Sequence, residues 1–217
     1  MDSSNLSLLI EGLTYLKLRY SEKQIEQFAA YIKEINFFNA TYKLVGSDEK
    51  EFVVKHLLDS LTPLKVIESL LDSQNTICDI GSGGGLPAIP LAIMLEDVNF
   101  VLVERMRRRV DFLNTVVAMC NLEKRVKIVQ KNLNEVKEYY NLVTFRALQP
   151  LINIIGDLEK VVKTGGYICA YKGKVENIEQ ELAQLARLKQ TNWQWQIKQL
   201  DVPFLEGERT LCIGQRV

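Results

Sequence analysis

A glycine-rich segment, Asp79-Ile80-Gly81-Ser82-Gly83-Gly84-Gly85-Leu86, is the part of the sequence best suited to binding a ligand. Glycine tolerates a positive φ angle and places no Cβ between the backbone and a bound molecule. The spacing is GxGxG, because Leu86 stands where the GxGxxG motif of dinucleotide-binding proteins has its last glycine. The pattern predicts a tight strand-to-helix turn that approaches a ligand, and a purely structural turn is the alternative.

Two acidic residues accompany this glycine-rich loop. Asp79 lies two residues before Gly81, and Glu104 lies 23 residues after Gly81, at the end of the next apolar segment. In nucleotide-binding α/β folds, an acid about 20 residues beyond the glycines accepts hydrogen bonds from ribose hydroxyls. Glu104 is therefore predicted to bind a ribose, and an exposed acid at a strand end is the alternative.

The segments around the loop alternate between strands and helices, which predicts an α/β fold with a mostly parallel sheet. Helices are predicted over about residues 106–120 and 177–188, and the Gly165-Gly166 pair is predicted to turn the chain into the fifth strand. The first five predicted strands are residues 76–80, 99–104, 126–130, 142–145 and 167–171, and residues 193–200 and 209–213 predict a closing hairpin. Ligands in such sheets bind outside the carboxyl ends of the strands, where Asp79 and Glu104 lie.

Three helical segments precede the first strand. Residues 6–18 and 21–38 carry apolar residues at helical spacing, with Ser21 as the N-cap of the second segment. A third helix is predicted to begin at Asp48 and to carry His56 on its apolar stripe, while residues 39–47 are predicted to be irregular. Residues 1–72 are therefore predicted to form a helical extension packed on a core of residues 73–217.

Composition narrows the functional classes. The 27 basic and 27 acidic residues give a formal net charge of zero, so any attraction to nucleic acid must come from a local patch. With one histidine, a catalytic zinc site or a serine–histidine triad would depend on His56, and no metal is expected. The widely spaced cysteines predict reduced core residues. No secretory signal or apolar run long enough for a membrane span is recognisable, and a cytoplasmic protein is expected.

Several longer segments form a distinctive set of motifs. The most specific are a KHxxDS element at residues 55–60 and the continuation of the glycine-rich loop by Leu-Pro-Ala-Ile-Pro-Leu-Ala at residues 86–92. Further landmarks are Leu102-Val103-Glu104, Arg146-Ala147, Tyr171-Lys172-Gly173 and Val202-Pro203-Phe204-Leu205-Glu206-Gly207-Glu208-Arg209. Over nearly its whole length the chain resembles the RsmG family, also called glucose-inhibited division protein B. The resemblance implies a class I (Rossmann-like) methyltransferase with a mostly parallel seven-stranded sheet that ends in an antiparallel hairpin.

The resemblance also implies an activity, namely methylation of N7 of a specific guanine in 16S (small-subunit) ribosomal RNA with S-adenosylmethionine as the cofactor. The partner would be free rRNA or a ribosomal subunit. The chain departs from the family pattern at Lys43, where asparagine is usual, and at Ala88, where glycine is common. The cofactor-binding residues that this similarity and the class I pattern imply are Asp79, Gly81, Gly83, Gly85, Leu86, Glu104, Leu133, Asn134 and Arg146.

Basic side chains supply the remaining candidates. Guanine N7 has an in-plane lone pair and no proton, so its methylation needs no general base. Arg146 is the single catalytic candidate, and its guanidinium could contact a cofactor carboxylate, a phosphate or guanine O6. His56 is predicted to be a structural histidine hydrogen-bonded to Asp59 or Ser60, with a general base or an RNA contact as the alternatives. The RNA-binding candidates are Lys55, His56, Arg105, Arg107, Arg108, Arg109 and Lys172, and solvated surface charges are the alternative.

Three other functions are compatible with parts of the pattern. A class I methyltransferase for a small molecule or a protein would share the sheet and the glycine-rich loop. A nicotinamide-dependent oxidoreductase is disfavoured by Leu86 and by the terminal hairpin. A non-catalytic RNA-binding protein is disfavoured by the intact loop and Glu104.

Overall fold

The computed structural model describes residues 3–42, 44–46, 49–71, 76–188 and 192–217. Its centre is a seven-stranded sheet of order β3-β2-β1-β4-β5-β7-β6. The pairs from β3 to β5 are parallel, and β7 pairs antiparallel with both β5 and β6. The strands are β1 (Thr76–Ile80), β2 (Asn99–Glu104), β3 (Val126–Gln130), β4 (Tyr140–Arg146), β5 (Val162–Lys172), β6 (Trp193–Leu200) and β7 (Arg209–Arg216). This arrangement confirms the predicted sheet and its terminal hairpin.

Helices cover the sheet and form the N-terminal layer. Within the described residues they are α1 (Ser3–Tyr15), α2 (Glu22–Tyr42), α3 (Glu49–Phe52), α4 (Asp59–Leu61), α5 (Leu64–Ser69), α6 (Ala88–Met94), α7 (Arg107–Met119), α8 (Leu151–Leu158) and α9 (Val175–Arg187). Ser21 caps α2 as predicted. The backbone N–H of Gln24 donates to Ser21 Oγ at 3.2 Å, and the backbone N–H of Ser21 donates to the side-chain oxygen Oε1 of Gln24 at 2.8 Å.

Several boundaries differ from the sequence prediction, most clearly in α2 and β5, and one helix is additional. Helix α2 continues to Tyr42, so the first residues of the predicted irregular stretch are helical, because Phe38 packs against Phe112 of α7 and against Tyr42. Strand β5 begins at Val162, so Gly165 and Gly166 lie inside the strand rather than before it. Helix α8 joins β4 to β5 and was not predicted.

The segment between α3 and α4 is a π-helix, Val53–Leu58, where the sequence predicted one continuous α-helix. The wider turn keeps Val53, Val54, Leu57 and Leu58 buried and leaves His56 half-buried beside them. Single π turns occur often at functional sites because they redirect side chains without ending the helix. The predicted cap at Asp48 lies outside the described residues, as does Lys43.

The N-terminal helices share one apolar core with the sheet, since buried side chains of α1 and α2 belong to the same cluster as those of α6 and α7. The Tyr31 hydroxyl donates to the Gly84 carbonyl at 2.6 Å, and the Gln27 amide donates to the Cys120 carbonyl at 2.6 Å. The first contact fixes α2 against the glycine-rich loop, and the second fixes it against the end of α7. The predicted boundary at residue 72 falls outside the described residues and stays a prediction.

Two further expectations concern the core and the membrane. All four cysteines are buried and free, as predicted. Within the described part of the chain, no helix is both long enough and apolar enough to cross a bilayer.

Candidate active site

The glycine-rich loop connects β1 to α6 in a conformation that depends on glycine. Gly81, Gly83 and Gly85 have φ angles of +70°, +56° and +86°. A Cβ on Gly85 would lie 2.5 Å from Ile89 Cγ1, and one on Gly81 would lie 2.9 Å from Leu148 Cδ1. The loop is therefore a bare backbone surface at the carboxyl end of β1, which is suited to close approach by a ligand.

Asp79 lies beneath this loop and is fully buried. One carboxylate oxygen accepts a hydrogen bond from Thr144 Oγ1 at 2.8 Å, while Oδ2 has no hydrogen-bond partner. Burial raises the pKa of Asp79 to about 7. A buried acceptor without a partner is costly, so this oxygen fits a donor on a ligand held by the loop.

Glu104 ends β2 beside the loop and is 2% exposed. Its Oε2 accepts the Gly83 N–H at 3.0 Å, and its Oε1 accepts the Met106 N–H at 2.8 Å. Arg109 Nη1 lies 3.7 Å from Oε2. Glu104 thus holds the loop to the start of α7, a structural role that the sequence did not predict alongside ribose binding.

Leu133 and Asn134 follow β3 in a short 3₁₀-helix, Leu133–Glu135. The Asn132 N–H donates to Glu135 Oε2 at 2.7 Å, which caps this turn. Leu133 is half-buried, and Asn134 is exposed. The turn places both residues at the same edge of the sheet as the glycine-rich loop.

Arg146, the last residue of β4, is held by the segment that contains the π-helix. Its Nη1 donates to Asp59 Oδ2 at 3.0 Å and to the Lys55 carbonyl at 3.2 Å. Its Nη2 contacts His56 Nδ1 at 2.5 Å. Arg209, the first residue of β7, approaches the same carboxylate, with Nε 3.6 Å from Asp59 Oδ1. Burial raises the pKa of Asp59, and the guanidinium groups of Arg146 and Arg209 oppose that rise.

These residues surround a cavity of about 430 Å³ at the carboxyl ends of β4 and β5. Leu148, which also lines it, is the side chain nearest to Gly81, so the cavity adjoins the glycine-rich loop. We call it the cationic cavity, defined by Lys55, His56, Asp59, Arg146, Lys172 and Arg209. The protein therefore has a ligand-binding loop and a positively lined recess side by side.

Comparisons with known proteins identify the family of this chain. The family model for GidB, described as rRNA small subunit methyltransferase G, matches residues 24–212. This chain belongs to the GidB family. A relative from Neisseria meningitidis, named ribosomal RNA small subunit methyltransferase G, is 33% identical over 93% of this chain and 94% of its own length. One from Photobacterium profundum with the same name is 31% identical over 94% and 96%.

Solved structures agree on the fold. An O-methyltransferase from Bacillus cereus superposes with a TM-score of 0.60 at 17% identity, over 87% of this chain and 91% of that one. A tRNA (m1A58) methyltransferase from Aquifex aeolicus superposes with a TM-score of 0.58 at 12% identity, over 74% and 68%. The GidB chain is thus a class I methyltransferase, and its cofactor is S-adenosylmethionine. The nicotinamide-dependent alternative is not supported.

His56 does not make the contacts predicted for it. Its side chain contacts Arg146 rather than Asp59 or Ser60, while Ser60 Oγ donates to the His56 carbonyl at 2.6 Å. Asp59 instead forms ion pairs with Arg146 and Arg209. Burial, and after it the charges of Arg146, Arg209 and Lys55, together lower the pKa of His56 to about 3.

We expect the imidazole of this single histidine to stay neutral throughout the range in which free histidine titrates. Its proton NMR shifts should be constant from about pH 8 to pH 5, and should titrate normally in urea-denatured protein. Because the folded pKa lies below the ordinary 6.5, the unfolded chain takes up the proton first, and His56 lowers stability as the pH falls below that value. A midpoint near 6.5 in the folded protein would contradict this.

The predicted RNA-binding residues fall into two groups. Lys55, His56 and Lys172 line the cationic cavity, where Lys55 also pairs with Glu51 and Lys172 pairs with Glu181 at 2.8 Å. The arginines lie around the start of α7 next to Glu104: Arg107 pairs with Asp111, Arg109 approaches Glu104, and Arg105 and Arg108 are exposed. Asp59 and Arg209 were not predicted as site residues, although Asp59 stands in the KHxxDS element and Arg209 ends the last family landmark, residues 202–209.

Proposed function

We propose that this GidB-family enzyme methylates N7 of a guanine in small-subunit ribosomal RNA. The observation that carries the proposal is the cationic cavity beside the glycine-rich loop. Its positive side chains suit an electron-rich base edge or a phosphate. The names of the curated relatives support small-subunit rRNA as the substrate. A ribosomal substrate in turn favours a cytoplasmic location.

The chain's own groups fit S-adenosylmethionine, which supplies an electrophilic methyl group on sulfur. In our proposal the glycine-rich loop binds the cofactor through its backbone, Asp79 Oδ2 accepts from the cofactor's ammonium group, and Glu104 accepts from the ribose hydroxyls. Leu133 and Asn134 flank the adenine. The proposed cofactor set is Asp79, Gly81, Gly83, Gly85, Leu86, Glu104, Leu133 and Asn134. Arg146, also predicted to contact the cofactor, is bonded to Asp59, Lys55 and His56, so we assign it to the wall that receives the base.

The proposed mechanism needs no proton transfer before methylation. N7 attacks with its lone pair, so the residues of the cavity must align the base with the methyl donor rather than remove a proton. His56, with a pKa of about 3, is poorly suited to act as a base at neutral pH in any case. Arg146 is the proposed catalytic residue in the sense that it contacts and orients the reacting base.

The exposed arginines around the start of α7 are proposed to bind phosphates on either side of the target. Arg105, Arg107 and Arg108 are exposed at the edge of the sheet that carries the glycine-rich loop. Lys55 and Lys172 would serve the same purpose at the rim of the cationic cavity. Neutralising several phosphates makes affinity fall steeply as salt rises, because each contact releases counterions.

The experiment that tests this function follows a labelled methyl group. The enzyme is incubated with labelled S-adenosylmethionine and ribosomal subunits, or their rRNA, from cells lacking this protein. Mild reduction and aniline then cleave RNA at N7-methylguanine. A single new cleavage site in the small-subunit RNA is expected. No transfer, with cofactor binding intact, would contradict the rRNA substrate and direct the search to small molecules or proteins.

Replacing Glu104 with alanine is expected to weaken cofactor binding about tenfold or more, because one or two charge-assisted hydrogen bonds are lost. Calorimetric titration with S-adenosylhomocysteine measures this. Glu96→Ala is the matched control, since Glu96 is exposed before β2, at the opposite end of the strand from Glu104. Glu104→Gln keeps the side-chain shape but only one of the two oxygens that accept from the Gly83 and Met106 N–H groups. Unchanged affinity in Glu104→Ala would contradict the ribose assignment.

A further inference from the structure

The contact between Arg146 and His56 determines which nitrogen of the imidazole carries the proton. A guanidinium group has N–H donors and no acceptor. His56 Nδ1, 2.5 Å from Arg146 Nη2, must therefore accept the hydrogen bond and carry no proton of its own. A neutral imidazole then has its proton on Nε2.

The surroundings keep this tautomer neutral. Arg146 contacts the ring, and its charge, with those of Arg209 and Lys55, lowers the pKa of the imidazole. Asp59 is the nearby carboxylate, and its oxygens face the two arginines. The ring also packs against Phe52, with centroids 5.6 Å apart. A second proton on the imidazole is disfavoured by this charge and this burial, so Nε2–H is a neutral and permanent donor.

The cationic cavity offers a ligand mainly donors. Tyr171 uses its hydroxyl to donate to the Ser60 carbonyl, and Asp59 Oδ2 accepts from Arg146. Asp59 Oδ1 makes no hydrogen bond, but it is buried, and the group that approaches it is Arg209 Nε at 3.6 Å. The donors that line it are the N–H groups of His56, Arg146 and Arg209 and the ammonium groups of Lys55 and Lys172, which also pair with Glu51 and Glu181. Such a wall matches a ligand edge made of acceptors.

Guanine and adenine differ at this edge. Guanine presents N7 and O6, both acceptors, whereas adenine presents N7 beside an amino group that donates. If N7 is aligned for methylation, the neighbouring substituent at position 6 meets the wall of the cavity. A fixed N–H there accepts guanine and leaves two donors facing each other with adenine.

We propose that the Nε2–H of His56 donates to O6 of the target base and makes His56 a specificity-determining residue for guanine. This inference rests on the proposed N7 methylation. It assigns to the single histidine a role that is neither acid–base nor purely structural. Arg146 therefore has two roles in the proposal. It contacts the base directly, and it positions the His56 donor by fixing the tautomer of the imidazole.

The first test needs no activity. Nitrogen-15 NMR of labelled histidine distinguishes the tautomers, and the single histidine makes the signal unambiguous. We expect a protonated Nε2 and an unprotonated Nδ1 at neutral pH. A signal from the Nδ1–H tautomer or from the imidazolium would overturn the proposal.

The second test uses small-subunit RNA that carries guanosine or 2-aminopurine riboside at the methylated position. 2-Aminopurine keeps N7 and the 2-amino group but lacks O6. Wild-type enzyme is expected to lose roughly 10- to 100-fold in kcat/KM on the analogue. The His56→Phe enzyme should have a low kcat/KM on both RNAs, and its two kcat/KM values should differ by less than about threefold. His56→Gln, whose amide can donate from a similar position, should recover part of the discrimination.

Lys55→Met is the matched control, since its side chain lines the same cavity but its contact to Arg146 is through the backbone. It should keep the wild-type ratio whatever its absolute rate. A wild-type ratio in His56→Phe, or equal rates of wild type on the two RNAs, would overturn the role of His56 while leaving N7 methylation established. Absence of any methylation of the guanosine RNA would instead overturn the proposed function itself.

Discussion

Replacing Asp59 with alanine is expected to abolish most methyl transfer and to lower the free energy of unfolding by about 3–5 kcal/mol. The carboxylate is 4% exposed and joins Arg146 to Arg209. Without it, two guanidinium groups face each other across a partly buried site, and Arg146 loses the contact that orients it towards His56. Removing one partner of a buried ion pair leaves the other charge without compensation, which costs far more than the pair contributes.

Chemical denaturation measures the loss of stability, and the labelled-methyl assay measures the loss of activity. Asp157→Ala is the matched control, because Asp157 pairs with Lys160 on the surface at 2.8 Å and such pairs contribute about 0–1 kcal/mol. Asp59→Asn should keep more stability than Asp59→Ala, since an amide oxygen can still accept from one arginine. An Asp59→Ala protein with wild-type stability and activity would show that the two arginines need no shared anion.

Replacing Gly85 with alanine is expected to destroy cofactor binding. The residue has a φ of +86°, and the new Cβ would lie 2.5 Å from Ile89 Cγ1 and 3.3 Å from Leu113 Cδ2. The loop must move, because L residues avoid this φ and the first turn of α6 lies behind it. We expect a destabilisation of about 1–3 kcal/mol from strain and overpacking, and a fall in cofactor affinity well beyond tenfold.

Gly156→Ala provides the control for this substitution. Gly156 lies in helix α8, and a Cβ there would meet nothing within 4 Å. Alanine is preferred over glycine in helices, so this variant should be as stable as wild type or more stable by up to about 1 kcal/mol. Calorimetric titration of both variants with S-adenosylhomocysteine measures their cofactor affinity. A loss in Gly85→Ala alone shows that the effect comes from the loop and not from an added methyl group in general. Normal cofactor binding in Gly85→Ala would mean that the loop does not approach the ligand as proposed.

The sheet was predictable because its strands are short apolar runs that end at charged or turn residues. β1, β2, β3 and β6 have the predicted bounds. Helix α8 was missed because it is short and follows directly on Pro150, and its first five residues include four apolar ones, which makes a short helix hard to distinguish from a buried strand. The π-helix was missed because its buried residues also satisfy the spacing of an α-helix.

The glycine-rich loop was predictable because the residues that form it are contiguous. The contacts of the cationic cavity were not, since Asp59, Arg146 and Arg209 come together only through the order of the strands. Hydrophobic periodicity placed His56 on an apolar stripe, and its neighbours in sequence were the natural hydrogen-bond partners to expect. The actual partner, Arg146, lies 90 residues away in the sequence, and nothing near His56 in the sequence predicts this contact.

The separation of Asp59 from its two arginines has a consequence for the order in which the enzyme matures during synthesis. The glycine-rich loop and Glu104 leave the ribosome well before Arg209, which begins the strand that lies between β5 and β6. A nascent or prematurely terminated chain that ends before residue 209 would contain every proposed cofactor ligand but not the second arginine that faces Asp59. Translation therefore completes the cofactor-binding segments first, and the recess for the base is completed last.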